Sequence, residues 1–250
     1  RKDKLSQYFY YIPKSERLTV EYVIIDMWDT YKDLSIKYFP NALIAVDSFH
    51  VIKHINEALD KVRKRVLKSY ETSRKRLIDS DNNYYMLKKF KFILFKNYDD
   101  LKDKLYTINK FKVSWNKSEI REYLLSTDSE LKEAYLLKED YIYFNKYKTY
   151  DEALYEIDDM IDMFYNSRVE EMREIGSLLN HWKKEIINSF IRVDGLRLNN
   201  GRIENKNKQI KLMMANSFGF QNFFRFRNRL MYSLNKKIIL LNKENEKFHK

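Results

Sequence analysis

The stretch Thr19–Asp47, TVEYVIIDMWDTYKDLSIKYFPNALIAVD, decides the fold class. It holds two runs of β-branched and apolar residues with the length of strands, Thr19–Ile25 and Ala42–Val46, and an aspartate follows each run. The segment Met27–Phe39 between them has helical character and stops at Pro40. A strand, a helix and a strand in so short a segment predict a βαβ unit, in which the two strands are parallel and the crossover is right-handed.

The two aspartates, Asp26 and Asp47, are then expected at the same carboxyl edge of one sheet, where open α/β sheets bind their ligands. Carboxylate oxygens are the ligands that Mg²⁺ or Mn²⁺ prefers. His50 follows Asp47 by three residues at a strand-to-helix junction, a spacing that converges if the turn is tight. The alternative is structural: the aspartates only cap the helices that follow them, and His50 is a hydrogen-bonded core residue.

The composition restricts the classes of protein and partner. The 250 residues include 48 Lys and Arg against 36 Asp and Glu, a net charge of +12, which favours a polyanionic partner such as nucleic acid or an acidic membrane surface. Compositional bias alone is the competing explanation of this charge. The absence of Cys excludes disulfides, thiolate zinc sites and a cysteine nucleophile, and is consistent with a reducing compartment. No apolar run is long enough for a membrane helix.

Most of the remaining chain has the spacing of amphipathic helices. Apolar residues recur every three or four positions from Val51 onward, and basic residues crowd the other positions, which predicts a long basic helix. Further helices are predicted over Ile175–Ile191 and Arg202–Met214, with a loop over Gly195–Gly201 between them. We therefore expect three parts, namely 1–70 with the strands and the basic helix, an all-helical insertion over 71–190, and C-terminal helices over 191–250.

Two features of the C-terminal part suggest chemistry or binding. Glu204, Lys208 and Lys211 share one face of the predicted helix. This spacing is also that of an ordinary stabilising Glu–Lys pair, and a glutamate in a first turn complements the helix dipole. The segment Phe218–Arg229 alternates aromatic residues with arginines, a pattern that suits base stacking and phosphate binding or the packing of a closing helix.

Five blocks of this sequence form an ordered pattern over about 200 residues. The blocks are VIID at Val23–Asp26 with the following MWDTY, FPNA at Phe39–Ala42, VDSFHVIK at Val46–Lys53, NGRIENKN at Asn200–Asn207, and FGFQNF at Phe218–Phe223. In this order they resemble bacterial insertion-sequence transposases with a DDE catalytic domain of the ISL type. The helical stretch 70–190 matches only loosely, mainly through LKEAYLLK at Leu131–Lys138.

The resemblance implies an α/β fold with a partial ribonuclease-H-like core, made of two parallel strands of five plus flanking helices, and a large all-helical insertion. The two strands would be the fourth and fifth of that core. Asp26 and Glu204 would be catalytic residues that hold two Mg²⁺ or Mn²⁺ ions. Asp47 and His50 match the accessory Asp-x-x-His motif of such enzymes. Asp26 and Glu204 are therefore expected to converge in the folded protein.

The sequence also departs from the family pattern. The first catalytic aspartate belongs on a first strand, which we expect upstream of Arg1, together with the N-terminal zinc-binding and helix-turn-helix region of such transposases. Asn205 stands where a glycine commonly follows the catalytic glutamate. We therefore expect this stretch alone to bind DNA without cleaving it.

The function predicted from these observations is that of a catalytic-domain fragment of a DNA transposase, acting in the cytoplasm at the nucleoid. Its partners would be double-stranded DNA, both element ends and target, and further copies of itself on that DNA, but no membrane. The alternative is a non-catalytic helical DNA-binding or regulatory remnant of a mobile element. Candidate DNA-binding residues are Arg63, Lys64, Lys68, Lys208, Lys211, Arg225, Arg227 and Arg229.

Overall fold

The structure of the protein is a computed structural model that describes residues 2–73, 82–100, 104–217, 219 and 222–234. The chain divides into two compact units, Arg1–Leu198 and Asn199–Lys250. The three-part division expected from the sequence stays a prediction.

Among the described residues, helices are more numerous and longer than the strands. The helices are α1 (Lys2–Tyr11), α2 (Lys14–Leu18), α3 (Asp29–Tyr38), α4 (Ser48–Ser73), α5 (Asn82–Lys89), α6 (Lys117–Ser126), α7 (Ser129–Tyr147), α8 (Tyr150–Tyr165), α9 (Glu170–His181), α10 (Lys183–Asn188), α11 (Gly201–Asn216) and α12 (Phe223–Leu234). The strands are β1 (Tyr22–Ile25), β2 (Leu43–Val46), β3 (Tyr106–Ile108), β4 (Val113–Trp115), β5 (Arg192–Val193) and β6 (Leu196–Arg197).

The βαβ unit predicted from the sequence is present. The strands β1 and β2 pair in parallel, with Tyr22 opposite Leu43 and Ile25 opposite Val46, and α3 connects them. The connecting helix ends two residues before Pro40, whose ring and missing N–H cannot continue it. This arrangement brings the carboxyl ends of both strands to one edge.

The long helix α4 organises the core of the unit Arg1–Leu198. Its apolar residues at three- and four-residue spacing, including Val51, Ile55, Leu59 and Val62, are buried as the sequence predicts. This stripe packs against α7 and α9. The first turn of α4 is thereby held firmly at the end of β2, where the candidate site lies.

The helix α10 covers the edge of β2 that does not pair with β1. The buried amide of Asn188 donates a hydrogen bond to the main-chain oxygen of Ile44 at 2.8 Å. A strand edge inside a protein needs such a partner, because an unpaired buried carbonyl costs about 1–3 kcal/mol.

The insertion over 71–190 is not all-helical, so that part of the sequence-based prediction is wrong. The strands β3 and β4 pair antiparallel, with Ile108 opposite Val113 and Lys112 at a φ of 54° in the turn. Aromatic contacts hold the hairpin against α6, where Tyr123 lies 5.5 Å from the ring of Trp115. Three-residue strands are too short to give a period-2 signal against the surrounding helical spacing.

The single helix predicted over Ile175–Ile191 is divided into α9 and α10. The backbone leaves helical geometry at Trp182, whose φ and ψ are −102° and 11°. The indole of Trp182 is buried, and the ammonium of Lys32 from α3 lies 5.0 Å from its ring centroid. Packing of this large side chain against α3 gives a physical reason for the break.

Ion pairs on the exposed side of α4 connect it to its neighbours. The guanidinium of Arg65 donates two hydrogen bonds of 3.1 Å to the carboxylate of Glu171 and one of 2.5 Å to Glu130. The hydrogen bonds that Arg65 donates to Glu171 raise the pKa of Arg65, and burial opposes them only in part. Arg65 therefore joins α4 to Glu130 of α7 and Glu171 of α9.

The strands β5 and β6 form a hairpin at the end of the first unit, so the loop predicted from Gly195 includes a strand. Asp194 and Gly195 form its turn with φ values of 52° and 76°, which a two-residue hairpin of this type requires. The guanidinium of Arg197 donates hydrogen bonds to the main-chain and side-chain oxygens of Asn145 and to the main-chain oxygen of Ser189. Burial lowers the pKa of Arg197 to about 10.

The second unit contributes α11 and α12. The helix predicted over Arg202–Met214 is confirmed as α11, and none of the described α12 residues is buried. Within the described ranges of both units, every helix is too short or too polar to cross a lipid bilayer.

Candidate active site

Asp26 and Asp47 lie side by side at the carboxyl edge of the parallel pair. Each follows the last residue of its strand, and these last residues, Ile25 and Val46, are opposite each other in the register. The main-chain N–H of Asp47 donates to the oxygen of Ile25 at 3.0 Å, which extends the ladder to the site itself. The expected juxtaposition of the two aspartates is thus built by the backbone.

His50 reaches across this edge to Asp26. Its Nε2 lies 2.8 Å from Oδ1 of Asp26, within hydrogen-bond distance. The side chain of Asp26 is 48% exposed and that of His50 is 22% exposed, so the pair lies at the surface of the unit. An imidazole in this position fixes the orientation of the carboxylate, as ligand-orienting partners do in metal sites.

Asp47 has a different environment from Asp26. Its carboxylate is buried, and Oδ1 accepts a hydrogen bond of 3.1 Å from the main-chain N–H of Phe49. The main-chain oxygen of Asp47 also accepts from the N–H of His50 at 2.9 Å. Asp47 thus caps the first turn of α4, the structural alternative raised from the sequence, and the cap presents His50 to Asp26.

Glu204 lies on α11 in the second unit and is exposed. The helix begins where Asn199 Oδ1 accepts a hydrogen bond of 2.9 Å from the N–H of Gly201, and Glu204 follows in the first turn. Lys208 and Lys211 on the same helix are exposed as well. The convergence of Glu204 with Asp26 stays a prediction.

The donor set at this edge suits a hard divalent cation in part. Among the residues that the structure describes, no three His, Asp or Glu side chains form a group that could hold a metal ion. Asp26 nevertheless has the chemistry of one ligand, because it is a half-exposed carboxylate whose orientation His50 fixes. Asp47 is less suited to direct coordination, because its carboxylate is buried.

The candidate DNA-binding residues of α4 are not equivalent. Arg63 is only 4% exposed, contrary to the sequence-based expectation of a basic outer face. Its guanidinium donates to Asp60 at 2.7 Å and to the main-chain oxygen of Leu87 at 3.3 Å, so it has an internal structural partner. Lys64 and Lys68 are exposed, and Lys64 lies 2.8 Å from Asp60.

The arginines of α12 lie on a helix that starts at an asparagine cap. Asn222 Oδ1 accepts a hydrogen bond of 3.0 Å from the N–H of Arg225. Arg225 and Arg229 are exposed, whereas Arg227 is partly buried and its Nη1 has no hydrogen-bond partner within the described ranges. These three side chains stay candidates for phosphate contacts.

An exposed aromatic residue beside the site escaped the sequence reasoning. Phe49 is 61% exposed, and its ring meets that of His50 edge to face at 5.5 Å. Its position two residues before Val51 puts it out of phase with the buried stripe of α4, and this mismatch is the signal that could have identified it. Trp28, which follows Asp26 by two residues, is exposed in the same way.

Comparison with known proteins gives one finding. A family model described as a transposase, of the DDE class and the ISL3 type, matches residues 1–230. No curated protein and no solved structure matches the chain significantly. The matched range includes Asp26, Asp47, His50 and Glu204, and it spans nearly the whole chain. The chain therefore belongs to the ISL3-type DDE transposase family.

Proposed function

We propose that this chain carries catalytic residues of a transposase that cleaves and joins DNA strands. The observation that carries the proposal is the hydrogen-bonded pair of Asp26 and His50 at the carboxyl edge of two parallel strands. An exposed carboxylate in that position is what phosphodiester chemistry with divalent metal ions requires.

The proposed fold of the catalytic core is ribonuclease-H-like, with β1 and β2 as its fourth and fifth strands. The parallel register and the crossing helix α3 support this assignment. The cover of the outer β2 edge by Asn188 of α10 agrees with a terminal strand of a sheet.

In this proposal Asp26 and Glu204 hold the metal ions from opposite ends of the sequence. Two Mg²⁺ or Mn²⁺ ions, when bound there, would activate water and then a DNA 3′-hydroxyl for attack on phosphodiester bonds. His50 orients the carboxylate of Asp26 through their 2.8 Å contact. Asp47 holds the turn that carries His50 and does not itself contact DNA.

The proposed DNA contacts follow the distribution of charge. Residues 199–250 contain 12 Lys and Arg against three Asp and Glu, so they carry nine of the twelve net positive charges. Acidic residues in 1–198 balance most of the basic ones there, and Arg65 with its two glutamates is one example. We therefore assign the main phosphate contacts to the second unit. The same proposal places the protein at the nucleoid, with several copies bound to the DNA.

A salt titration tests this assignment. Replacing Lys208, Lys211, Arg225 and Arg229 together by Ala flattens the slope of log K against log salt by up to about 0.9 for each charge that touches a phosphate. Random and element-end duplexes lose affinity alike, because phosphates carry no sequence information.

The matched control removes exposed charges from α4 instead. The double substitution Lys64→Ala and Lys68→Ala changes the slope for duplex DNA less, because it removes two positive charges instead of four and leaves the second unit's positive charges in place. A larger effect in the α4 variant than in the four-residue variant would move the DNA contact to α4.

Strand cleavage tests the catalytic proposal itself. The expected result is that the encoded protein nicks or joins DNA in Mg²⁺ or Mn²⁺ and loses this activity in EDTA. Cleavage that survives chelation contradicts the proposed metal chemistry. DNA binding without cleavage under either metal favours a non-catalytic remnant of a mobile element.

A further inference from the structure

A groove of about 560 Å³ runs along α4 and begins beside the candidate active site. Its residues come from α4 and from the segment after α5. Those that matter for binding are Phe49, Lys53, Glu57, Asp60, Lys61 and Lys64. The groove therefore starts at the residue next to His50 and follows the helix away from the sheet edge.

Phe49 stands at the end of the groove that is nearest to Asp26. Most of its ring is open to solvent, and one edge rests on His50, whose Nε2 contacts Asp26 at 2.8 Å. An aromatic face that is exposed next to a reactive carboxylate suits stacking against a flat ligand such as a nucleobase.

The charges along the groove favour an anionic chain. Lys53, Lys61 and Lys64 line it, and the first and last of these are 11 residues apart on the helix, about 16 Å. Such a row suits the successive phosphates of one strand rather than a single anion.

The two acidic residues of the groove do not reverse this preference. Glu57 lies 3.9 Å from Lys53, and Asp60 lies 2.7 Å from the buried guanidinium of Arg63. Burial favours the neutral carboxyl of Asp60, but hydrogen bonds from Lys64 and Arg63 outweigh it and lower its pKa. Asp60 is thus shared by Arg63 and Lys64, while Lys61 lies 3.5 Å from Glu174. Four cations (Lys53, Lys61, Arg63 and Lys64) against three carboxylates (Glu57, Asp60 and Glu174) leave one net positive charge along the groove.

We propose that this groove binds unpaired nucleotides next to the scissile bond, with one base stacked on Phe49 and phosphates held by Lys53, Lys61 and Lys64. The inference rests on the proposed function and adds the strand form that the site accepts. A single strand fits better than a duplex, because duplex bases hide the faces that a ring could stack on.

The test compares two labelled DNA substrates by fluorescence anisotropy, a fully paired duplex and the same duplex with one end unpaired. Phe49→Ala weakens binding to the unpaired end about tenfold, the size of one lost base stack, and changes binding to the paired duplex less than twofold. Phe49→Trp restores the affinity. Tyr155→Ala removes an exposed aromatic from α8 and serves as the matched control, with no effect on either substrate.

Two results overturn the inference. One is equal affinity of wild type and Phe49→Ala for the unpaired end. The other is that a poly-glutamate peptide of similar length displaces that DNA equally well from wild type and from Phe49→Ala. This result would indicate that the groove binds negative charge without recognising a base. Metal-dependent cleavage of the same substrate is measured in parallel, so that failure of the proposed function is recorded separately. Cleavage without a loss of affinity in Phe49→Ala refutes only the binding of nucleotides in the groove. A loss of affinity in Phe49→Ala without cleavage refutes only the catalytic role.

Discussion

In the encoded protein whose strand cleavage is proposed above, Asp26→Asn and Glu204→Gln each lower the rate of DNA strand cleavage by about 10³-fold and leave duplex affinity within about twofold. Both substitutions keep the size of the side chain and remove its negative charge, so each removes a metal ligand that the proposal requires. The size of the loss is that seen when one preorganised electrostatic group is removed from an active site. His50→Ala, which removes only a positioning contact to Asp26, costs about 10–100-fold.

The measurement is single-turnover cleavage at saturating DNA, with Mn²⁺ binding recorded by electron paramagnetic resonance. Weaker Mn²⁺ binding is expected in all three variants, and a purely structural role would not produce it. Asp159→Asn is the control, because Asp159 is an exposed carboxylate on α8, to which no metal-binding role is assigned. Full activity in either charge-removing variant would refute the corresponding assignment.

Lys138→Ala lowers the thermal midpoint by about 10 °C. Lys138 on α7 is fully buried, and its ammonium donates to the main-chain oxygens of Leu94 and Lys96 at 2.8 and 3.0 Å. Its removal leaves two buried acceptors unpaired at about 1–3 kcal/mol each and opens a cavity. A total of about 4 kcal/mol corresponds to roughly 10 °C in a unit of this size.

Two variants separate the causes of this loss. Lys138→Met keeps most of the packing volume and removes only the donors, so we expect about half of the decrease. Lys132→Ala removes an exposed lysine from the same helix and leaves the midpoint within about 1 °C. A midpoint of Lys138→Ala within 2 °C of wild type would show that solvent or another donor satisfies the two carbonyls.

Lys138 also predicts a dependence on pH with a definite sign. Burial lowers the pKa of Lys138 below its ordinary value of 10.5, although Glu139 at 2.7 Å opposes this effect. Between the folded and unfolded pKa values the unfolded chain binds more protons, so this lysine makes folding more favourable as the pH rises. The stability difference between wild type and Lys138→Met therefore widens as the pH approaches 10.5, which thermal unfolding at several pH values measures.

Local sequence signals were sufficient for the βαβ unit and for α4. β-Branched runs, a proline stop and an aspartate after each strand are short-range features, and the parallel pairing follows from the connection length. The hairpin over Tyr106–Trp115 was missed, because its strands are stabilised by rings on α6 that no local pattern connects to them. The division at Trp182 likewise depends on packing against Lys32, 150 positions earlier.

At the candidate site, the sequence predicted the residues better than their hydrogen bonds and burial. The parallel strands were enough to expect Asp26 and Asp47 at one edge, and the spacing of three residues was enough to expect His50 near Asp47. The hydrogen bond of His50 to Asp26 depends on the tight turn that Asp47 caps. The prediction that Arg63 contacts DNA from an exposed face was wrong. A helical pattern gives the direction of a side chain around the helix axis, but it does not show that Asp60 and the main-chain oxygen of Leu87 accept hydrogen bonds from Arg63 inside the protein. Phe49 was overlooked because an aromatic residue is expected to be buried, whereas its ring is exposed.

The hydrogen bond from Asn188 to Ile44 joins positions 144 residues apart, and this separation has a consequence during synthesis. At about 5–20 residues per second, a ribosome takes on the order of 10 s to reach Asn188 after releasing β2. Throughout that interval the nascent chain exposes an open strand edge, the template on which neighbouring chains pair and aggregate. Translation that stops before α10 would therefore yield an insoluble product even though both strands of the parallel pair had already been made.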